Sequence, residues 1–331
     1  MTKFHILLER DVGLFSLVQQ IISHIPWAQK EGRVPVACFG RDVVYWSDNG
    51  YRGADNVWEY YFEPLVKPFS LDRVPADLVA DARRPFQRGE IVRELRDGSI
   101  ATPHFGDHKS MKGKTIAIPF KWLDPSRRLR RQTAPIIREF IRPRGYITEA
   151  VEGFRHQYFG SGRVIGVHAR GTDAPLRKWQ RKGSLVRDNF ARKVDAILGK
   201  MGDAKIFIAT DEEAMVDFFR DRYGPRVAAY PALRHKEGDP VGFGPTGKVV
   251  PAYLTATPEA AAQNGAEAVI EYLLLTKCDC LVHNGSGFAR TVLLAEPEMP
   301  HFNVHLENTS YATMLSGAVV AKLPNLSRVF R

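Results

Sequence analysis

His168 and Arg170 stand at the end of the segment Arg163-Val164-Ile165-Gly166-Val167-His168-Ala169-Arg170-Gly171-Thr172-Asp173, where an apolar run turns polar. Residues two apart on a strand share a face, so both side chains leave the strand end together. A guanidinium at the carboxyl end of a strand suits bidentate recognition of phosphate. Asp173 either orients Arg170 or joins it in an ordinary surface ion pair. A second stretch has matching chemistry: the apolar run Cys280–Val282 ends in His283-Asn284-Gly285-Ser286-Gly287-Phe288-Ala289-Arg290. A Gly-Ser-Gly turn opening a helix offers free backbone N–H groups and the positive end of the helix dipole to an anion. Ser286 is equally suited to capping that helix with no ligand present.

The charge balance agrees with an anionic ligand. The net charge is +10, and from Arg163 to Lys193 nine Lys and Arg face only Asp173 and Asp188. A basic excess points to nucleic acid, an anionic lipid surface or a polyanionic substrate. No helix-turn-helix, zinc finger or aromatic RNA-binding signature is present, which argues against nucleic acid. The run Arg127, Arg128, Arg130 and Arg131 reads as a solvated face. Lys112-Gly113-Lys114-Thr115 lacks the earlier glycine of a phosphate-binding loop. Pro103 and Gly106 argue against a helix that would bring His104 and His108 together on a metal.

The elements that must position these groups alternate between strand and helix. Residues 3–8 read as a strand, Gly13 as a turn, and Leu14, Leu17, Val18, Ile21, Ile22 and Ile25 as a helix ending at Pro26. Val34–Phe39 reads as the next strand. The aromatic segment Tyr45 to Pro64 reads mainly as core, and Thr115–Pro119 as a strand. Further on, a helix carries Phe190, Val194, Ile197 and Leu198 behind an Asp188 cap. Strand Ile206–Thr210 leads to a helix capped by Asp211. Strand Val227–Tyr230, a Gly- and Pro-rich loop at 238–247, a helix at about 258–276 and strands at 280–282 and 301–305 complete a doubly wound α/β pattern.

A length of 331 residues favours two domains. The start Met1-Thr2-Lys3 predicts no secretory leader, and no apolar run reaches bilayer length. Cys38, Cys278 and Cys280 read as reduced core thiols of a cytoplasmic protein.

Three blocks together carry a family resemblance: Gly166-Val167-His168-Ala169-Arg170-Gly171-Thr172-Asp173; Ile208-Ala209-Thr210-Asp211; and Glu271 to Asp279 leading to Ser286-Gly287-Phe288-Ala289-Arg290. In order and spacing they resemble the donor domain of metal-independent, GDP-fucose-dependent fucosyltransferases. That superfamily includes the core α1,6-fucosyltransferases and the bacterial nodulation-factor fucosyltransferase. Gly13-Leu14-Phe15-Ser16 is similar to a turn in the same enzymes. The resemblance implies a GT-B glycosyltransferase with two Rossmann-like domains facing a cleft: residues 1–145 on the acceptor side, 146–310 on the nucleotide-sugar side, and a tail at 311–331.

It also implies roles. Arg170 would neutralise the departing diphosphate, His168 would lie near the nucleoside, and Glu271 would accept from the guanine edge. Ser286, Gly287, Phe288 and Arg290 would surround phosphate, Asp211 would support the site, and Gly13 and Phe15 would lie toward the acceptor. No metal is expected, because Arg170 and helix-terminal amides can supply the electrostatic work of an Asp-x-Asp-bound ion. Core α1,6 enzymes carry an acid shortly after the first block, whereas here Ala174-Pro175-Leu176-Arg177-Lys178 follows, leaving Asp173 as the nearby acid. The expected activity is inverting transfer of L-fucose from GDP-fucose to a hydroxyl of a surface polysaccharide or lipo-oligosaccharide, in the cytoplasm or peripherally at the inner face of the membrane. The alternative is a catalytically inactive GT-B module that binds a nucleotide or polyanion.

Overall fold

The residues that recur at helical spacing after Gly13 do form a helix, and its apolar stripe becomes the centre of the molecule. The computed structural model describes residues 2–118, 123–170, 187–236, 238–243, 247 and 249–304. Strand β1 (Phe4–Leu8) leads into helix α1 (Leu14–Lys30), which returns to strand β2 (Val34–Cys38). Helix α1 runs through Pro26 instead of ending there. Proline forfeits one backbone bond at a cost of about 3 kcal/mol, but the turn beyond it buries Trp27 and Ala28. The Trp27 indole also donates to Glu31 at 2.8 Å.

Short helices α2 (Val57–Tyr61) and α3 (Ala76–Arg83) precede the strands β3 (Arg93–Glu94) and β4 (Ile100–Thr102). These complete a four-stranded sheet ordered β2-β1-β4-β3, parallel except for the last pair. The strand expected at 115–119 is not formed over its described part. The Ile116 N–H donates to the Ser23 carbonyl at 3.0 Å, and the Ser23 hydroxyl donates to the Ile116 carbonyl at 2.7 Å. Helix α1 thus satisfies both backbone groups that a sheet would have used.

Two helices, α4 (Arg127–Phe140) and α5 (Gly145–Phe154), the latter extended by a π-helical turn at Arg155–Phe159, lead to the second sheet. There the order is strand β5 (Val164–Ala169), helix α6 (Arg187–Met201), strand β6 (Lys205–Thr210), helix α7 (Glu213–Tyr223) and strand β7 (Val227–Ala228). A hairpin of β8 (Val241–Phe243) and β9 (Val249–Pro251) occupies part of the expected loop. Helix α8 (Ala260–Leu275), strand β10 (Cys280–His283), helix α9 (Gly287–Ala295) and strand β11 (His301–Asn303) follow. The sheet is parallel throughout, in the order β11-β10-β5-β6-β7.

Alternation along each strand divides its side chains between two cores. Ile165, Val167, Ile206 and Ile208 face α6 and α7, whereas Val164, Phe207 and Ala209 join the cluster containing α8 and α9. Cys280 and Cys278 fall in these two different clusters, and all three cysteines are free and buried. The second cluster continues without interruption into the stripe of α1 and the aromatics Trp58, Tyr60, Tyr61 and Phe62. Gly265 makes that continuity possible on α8, since a Cβ there would collide with the Tyr61 ring and hydroxyl.

The arginine run departs from the solvated face expected of it. Arg127 and Arg131 do pair with Glu298 in the open. Arg130 instead points inward, 5% exposed, and donates to the carbonyls of Leu293 (3.0 Å), Glu296 (2.6 Å) and Met299 (2.8 Å). It closes the carboxyl end of α9, where carbonyls lack helical partners and a cation is favoured.

Candidate nucleotide-diphosphate site

His168 is the penultimate residue of β5, and the strand's alternation sends it toward α9. There its ring stacks on Phe288, with centroids 4.3 Å apart and planes 8° from parallel. Its Nδ1 lies 3.2 Å from the Ala209 carbonyl, while Nε2 is buried with no hydrogen-bond partner among the described residues. Burial pulls its pKa down to about 4; the Arg170 guanidinium pulls the same way and the Asp211 carboxylate opposes. At neutral pH the ring is therefore an uncharged imidazole. With Nδ1–H donated to the carbonyl, Nε2 is left as an acceptor.

Arg170 follows directly, and its carbonyl accepts from Asn284 Nδ2 at 2.9 Å. The ends of β5 and β10 are thereby tied together. Arg170 and Asp211 both act electrostatically on Tyr45 and Tyr253, so two phenols from distant parts of the chain lie over this strand edge. Asp211 is not the cap of α7 expected from its position. That place falls to Glu212, which makes no side-chain capping bond. The Asp211 carbonyl instead accepts from the His235 N–H at 2.9 Å, because residues 212 and 235 form a bridge just beyond the sheet.

Ser286 caps α9 as its residue type suggests, its hydroxyl accepting from the Ala289 N–H at 3.1 Å. Its carbonyl takes the Arg290 N–H at 3.1 Å. Nothing among the described residues accepts from the Gly287 and Phe288 N–H groups, which belong to the first turn at the positive end of the helix dipole. The start of α1 comes to the same place. Phe15 packs on Phe288 at 4.3 Å and on Tyr272 at 5.2 Å between centroids. Gln19 Nε2 donates to the Gly287 carbonyl at 2.7 Å and to the Thr291 hydroxyl at 2.9 Å. Gly13 precedes α1 without a side-chain cap. Two helix N-termini and the β5 strand end therefore converge on one region.

Glu271 projects from α8 into a buried neighbourhood and pairs with Arg234 at 2.7 Å. Arg234 also donates to the carbonyls of Thr210 (3.1 Å), Ala232 (3.0 Å) and Tyr230 (2.7 Å), pinning the loop after β7 to the end of β6. Burial pushes the Glu271 carboxyl up to about 8 against the pull of Arg234; Glu267 and Asp211 add to the rise. A buried carboxylate is poorly solvated, so a ligand offering two N–H donors stabilises its charged form.

The structure thus brings His168, Arg170, Ser286, Gly287 and Phe288 together, with Gly13 and Phe15 alongside, and Asp211 and Glu271 along the same sheet edge. Phe15 is buried, so its ring serves the core at this point. Arg290 is 2% exposed and faces Asp124; burial lowers its pKa to about 10. Asp173 lies outside the described residues. Arg234 has no motif around it in the sequence and could not have been anticipated. Asn284 and His283 stand beside the Gly-Ser-Gly turn, and the signal that could have found them is their place at a strand end.

No protein-family model matches the chain, and no curated protein matches it in sequence. Solved structures do match in shape. The NodZ alpha-1,6-fucosyltransferase soaked with GDP-fucose superposes over 94% of this chain and 98% of its own, with 19% identity and a TM-score of 0.59. Fucosyltransferase NodZ from Bradyrhizobium covers 91% and 96% with 17% identity and a TM-score of 0.53. POFUT1 in complex with GDP-fucose covers 92% and 99% with 12% identity and a TM-score of 0.52. The chain has the fold of these proteins. It is a mixed α/β, GT-B-like fold, and its structural neighbours belong to the group that the sequence motifs resemble. Among the described residues no helix is long and apolar enough to cross a membrane.

Proposed function

We propose that the chain is an inverting glycosyltransferase that moves L-fucose from GDP-fucose to a hydroxyl of a glycan. The convergence of Arg170 with the amino end of α9 carries this reading, because it gathers positive potential of the kind that stabilises a leaving diphosphate. In the reaction the bond between the anomeric carbon and the β-phosphate oxygen breaks, and its electron pair leaves with GDP. The acceptor oxygen attacks from the opposite face and its proton passes to a base, for which Asp173 is the candidate. Arg170 and the Gly287 and Phe288 N–H groups stabilise the developing phosphate charge in a site already organised for it. Glu271, deprotonated on binding, accepts from guanine N1–H and its amino group. Neutral His168 supplies an acceptor beside the nucleoside without adding charge.

In this reading residues 1–145 and 146–310 form the two halves of a GT-B enzyme, with Tyr45 and Gly13 on the acceptor side. The work done elsewhere by a bound divalent ion falls to Arg170 and the helix. Calorimetry with GDP, GDP-fucose, UDP-sugars and ADP-sugars in the presence of EDTA tests the donor assignment. Selective binding of the GDP compounds is expected. Lack of GDP binding, or binding only when a metal is restored, would sink it. A transfer assay over surface polysaccharides and lipo-oligosaccharides then separates an enzyme from an inactive nucleotide-binding module.

A further inference from the structure

The turn between β10 and α9 makes an additional set of contacts that the diphosphate site does not itself require. His283, the last residue of β10, is fully buried, and its Nδ1 accepts from the Gly285 N–H at 3.0 Å. That bond leaves the single ring proton on Nε2, which is buried without a hydrogen-bond partner among the described residues; Asp124 Oδ1 lies 3.7 Å from it, beyond hydrogen-bond range. Asp124 is held in turn by Asn303 Nδ2 at 2.9 Å, and its second oxygen lies 3.6 Å from His301 Nε2. Gly285 has φ +76°, a conformation that favours glycine, so the chain reverses sharply there with its N–H captured by His283. Between these two residues stands Asn284, whose amide holds the Arg170 carbonyl.

From this arrangement we infer that Asn284 is a positioning residue that sets Arg170 relative to the amino end of α9, with His283 holding the turn that carries it. The β5–β10 ladder sets their spacing as far as the register pair His168 and His283, and Arg170 and the Gly287 and Phe288 N–H groups lie beyond it. The Asn284 side chain bonds from the turn across to the Arg170 backbone. The inference rests on the diphosphate role of Arg170 given above. Its ligand is the pyrophosphate group of a nucleoside diphosphate, and Asn284 acts on that group only through Arg170.

A double-mutant cycle on GDP affinity tests it, using the full chain and calorimetry. Wild type is measured first, and absence of GDP binding there refutes the donor reading itself. With wild type binding, Asn284→Ala is expected to weaken GDP by about ten-fold, the loss of one positioning hydrogen bond. In an Arg170→Ala background the same change should alter affinity by less than about two-fold. Equal losses in both backgrounds, or no loss in either, overturn the inference while leaving the donor reading intact. Asn284→Leu keeps the side-chain volume without the donor and should reproduce the Ala result. If Asn284→Leu binds GDP as wild type does, the hydrogen bond has no positioning role.

Discussion

Among the described residues four histidines are buried, two at the first sheet and its helix α1 and two in the second sheet, and burial depresses the pKa of all four. In the first sheet His5 lies within β1 and meets His24 of α1, Nε2 to Nδ1, at 3.2 Å. His24 Nε2 reaches the His104 carbonyl at 2.9 Å, and the His5 ring stands edge-on to Trp27 at 4.9 Å. This pair faces inward and joins a strand to a helix. In the second sheet His168 and His283 are register partners at the carboxyl ends of β5 and β10. One stacks on the first turn of α9, and the other fixes the turn that precedes it. Burial and a lowered proton affinity are common to both pairs, so neither property marks a functional residue here. Position along the strand separates the pairs, because His168 and His283 lie where β5 and β10 meet the start of α9, the side of an open α/β sheet on which ligands generally bind.

If that distinction holds, substitutions at the strand ends should affect ligand chemistry, and those at mid-strand should affect folding. Arg170→Ala is expected to lower fucosyl transfer at least about 100-fold, as loss of one preorganised oxyanion partner does. Near-normal turnover would break the comparison. Arg130→Ala should leave the donor site chemically whole but cost about 2 kcal/mol or more in urea unfolding, because buried carbonyls at the end of α9 lose their donor. His168→Ala should weaken GDP by about ten-fold with a small change in melting temperature, whereas His24→Ala should lower the melting temperature and spare GDP affinity. A swap of those two outcomes would refute the assignment.

Two pH effects sharpen it. Burial raises the Glu271 carboxyl to about 8, so in the proposed complex it must lose its proton to accept both guanine N–H groups, and GDP affinity should rise with pH and level off above about 8. Calorimetry in buffers of different ionisation heat should show proton release, and Glu271→Gln should abolish the dependence. His24 and His168 are depressed from 6.5 to about 4 in the folded chain. The unfolded chain therefore binds more protons between these values, and stability, present above 6.5, is lost as pH falls toward 4. The smallest effect is expected at the surface: Glu298→Ala removes the open pairs with Arg127 and Arg131 and should leave the melting curve unchanged, since solvent screens such pairs.

Much of the second sheet was legible in the sequence because its strands are near-continuous apolar runs bounded by polar turns, as buried parallel strands are. The anion-competent ends at Arg170 and Ser286 were legible for the same reason, since a strand that stops at Gly or at His-x-Arg locates its own edge. The first sheet was harder. Its third parallel strand, Ile100–Thr102, is three residues long, too short for any periodicity, and the better-looking run at 115 was taken up by Ser23. The Arg127–Arg131 run misled because charge alone cannot tell a solvated face from a guanidinium aimed at the end of a helix 163 residues away. Arg234 was invisible because its four partners are backbone carbonyls and one acid brought together only by the fold.

The hydrogen bonds from Gln19 to Gly287 and Thr291 span separations of 268 and 272 residues. They sit inside a cluster in which Leu14, Leu17, Val18, Ile21 and Ile25 meet Val292, Leu293 and Leu294. During synthesis, then, one face of this helix waits for its partner until residues 287–294 have left the ribosome. Loop closure over such a distance is slow, and an apolar stripe left uncovered meanwhile is open to self-association. Truncation before residue 287 should therefore yield an aggregating product rather than a stable first half. Recovery of native protein from denaturant should fall as protein concentration rises, and supplying residues 287–304 in trans should not restore it.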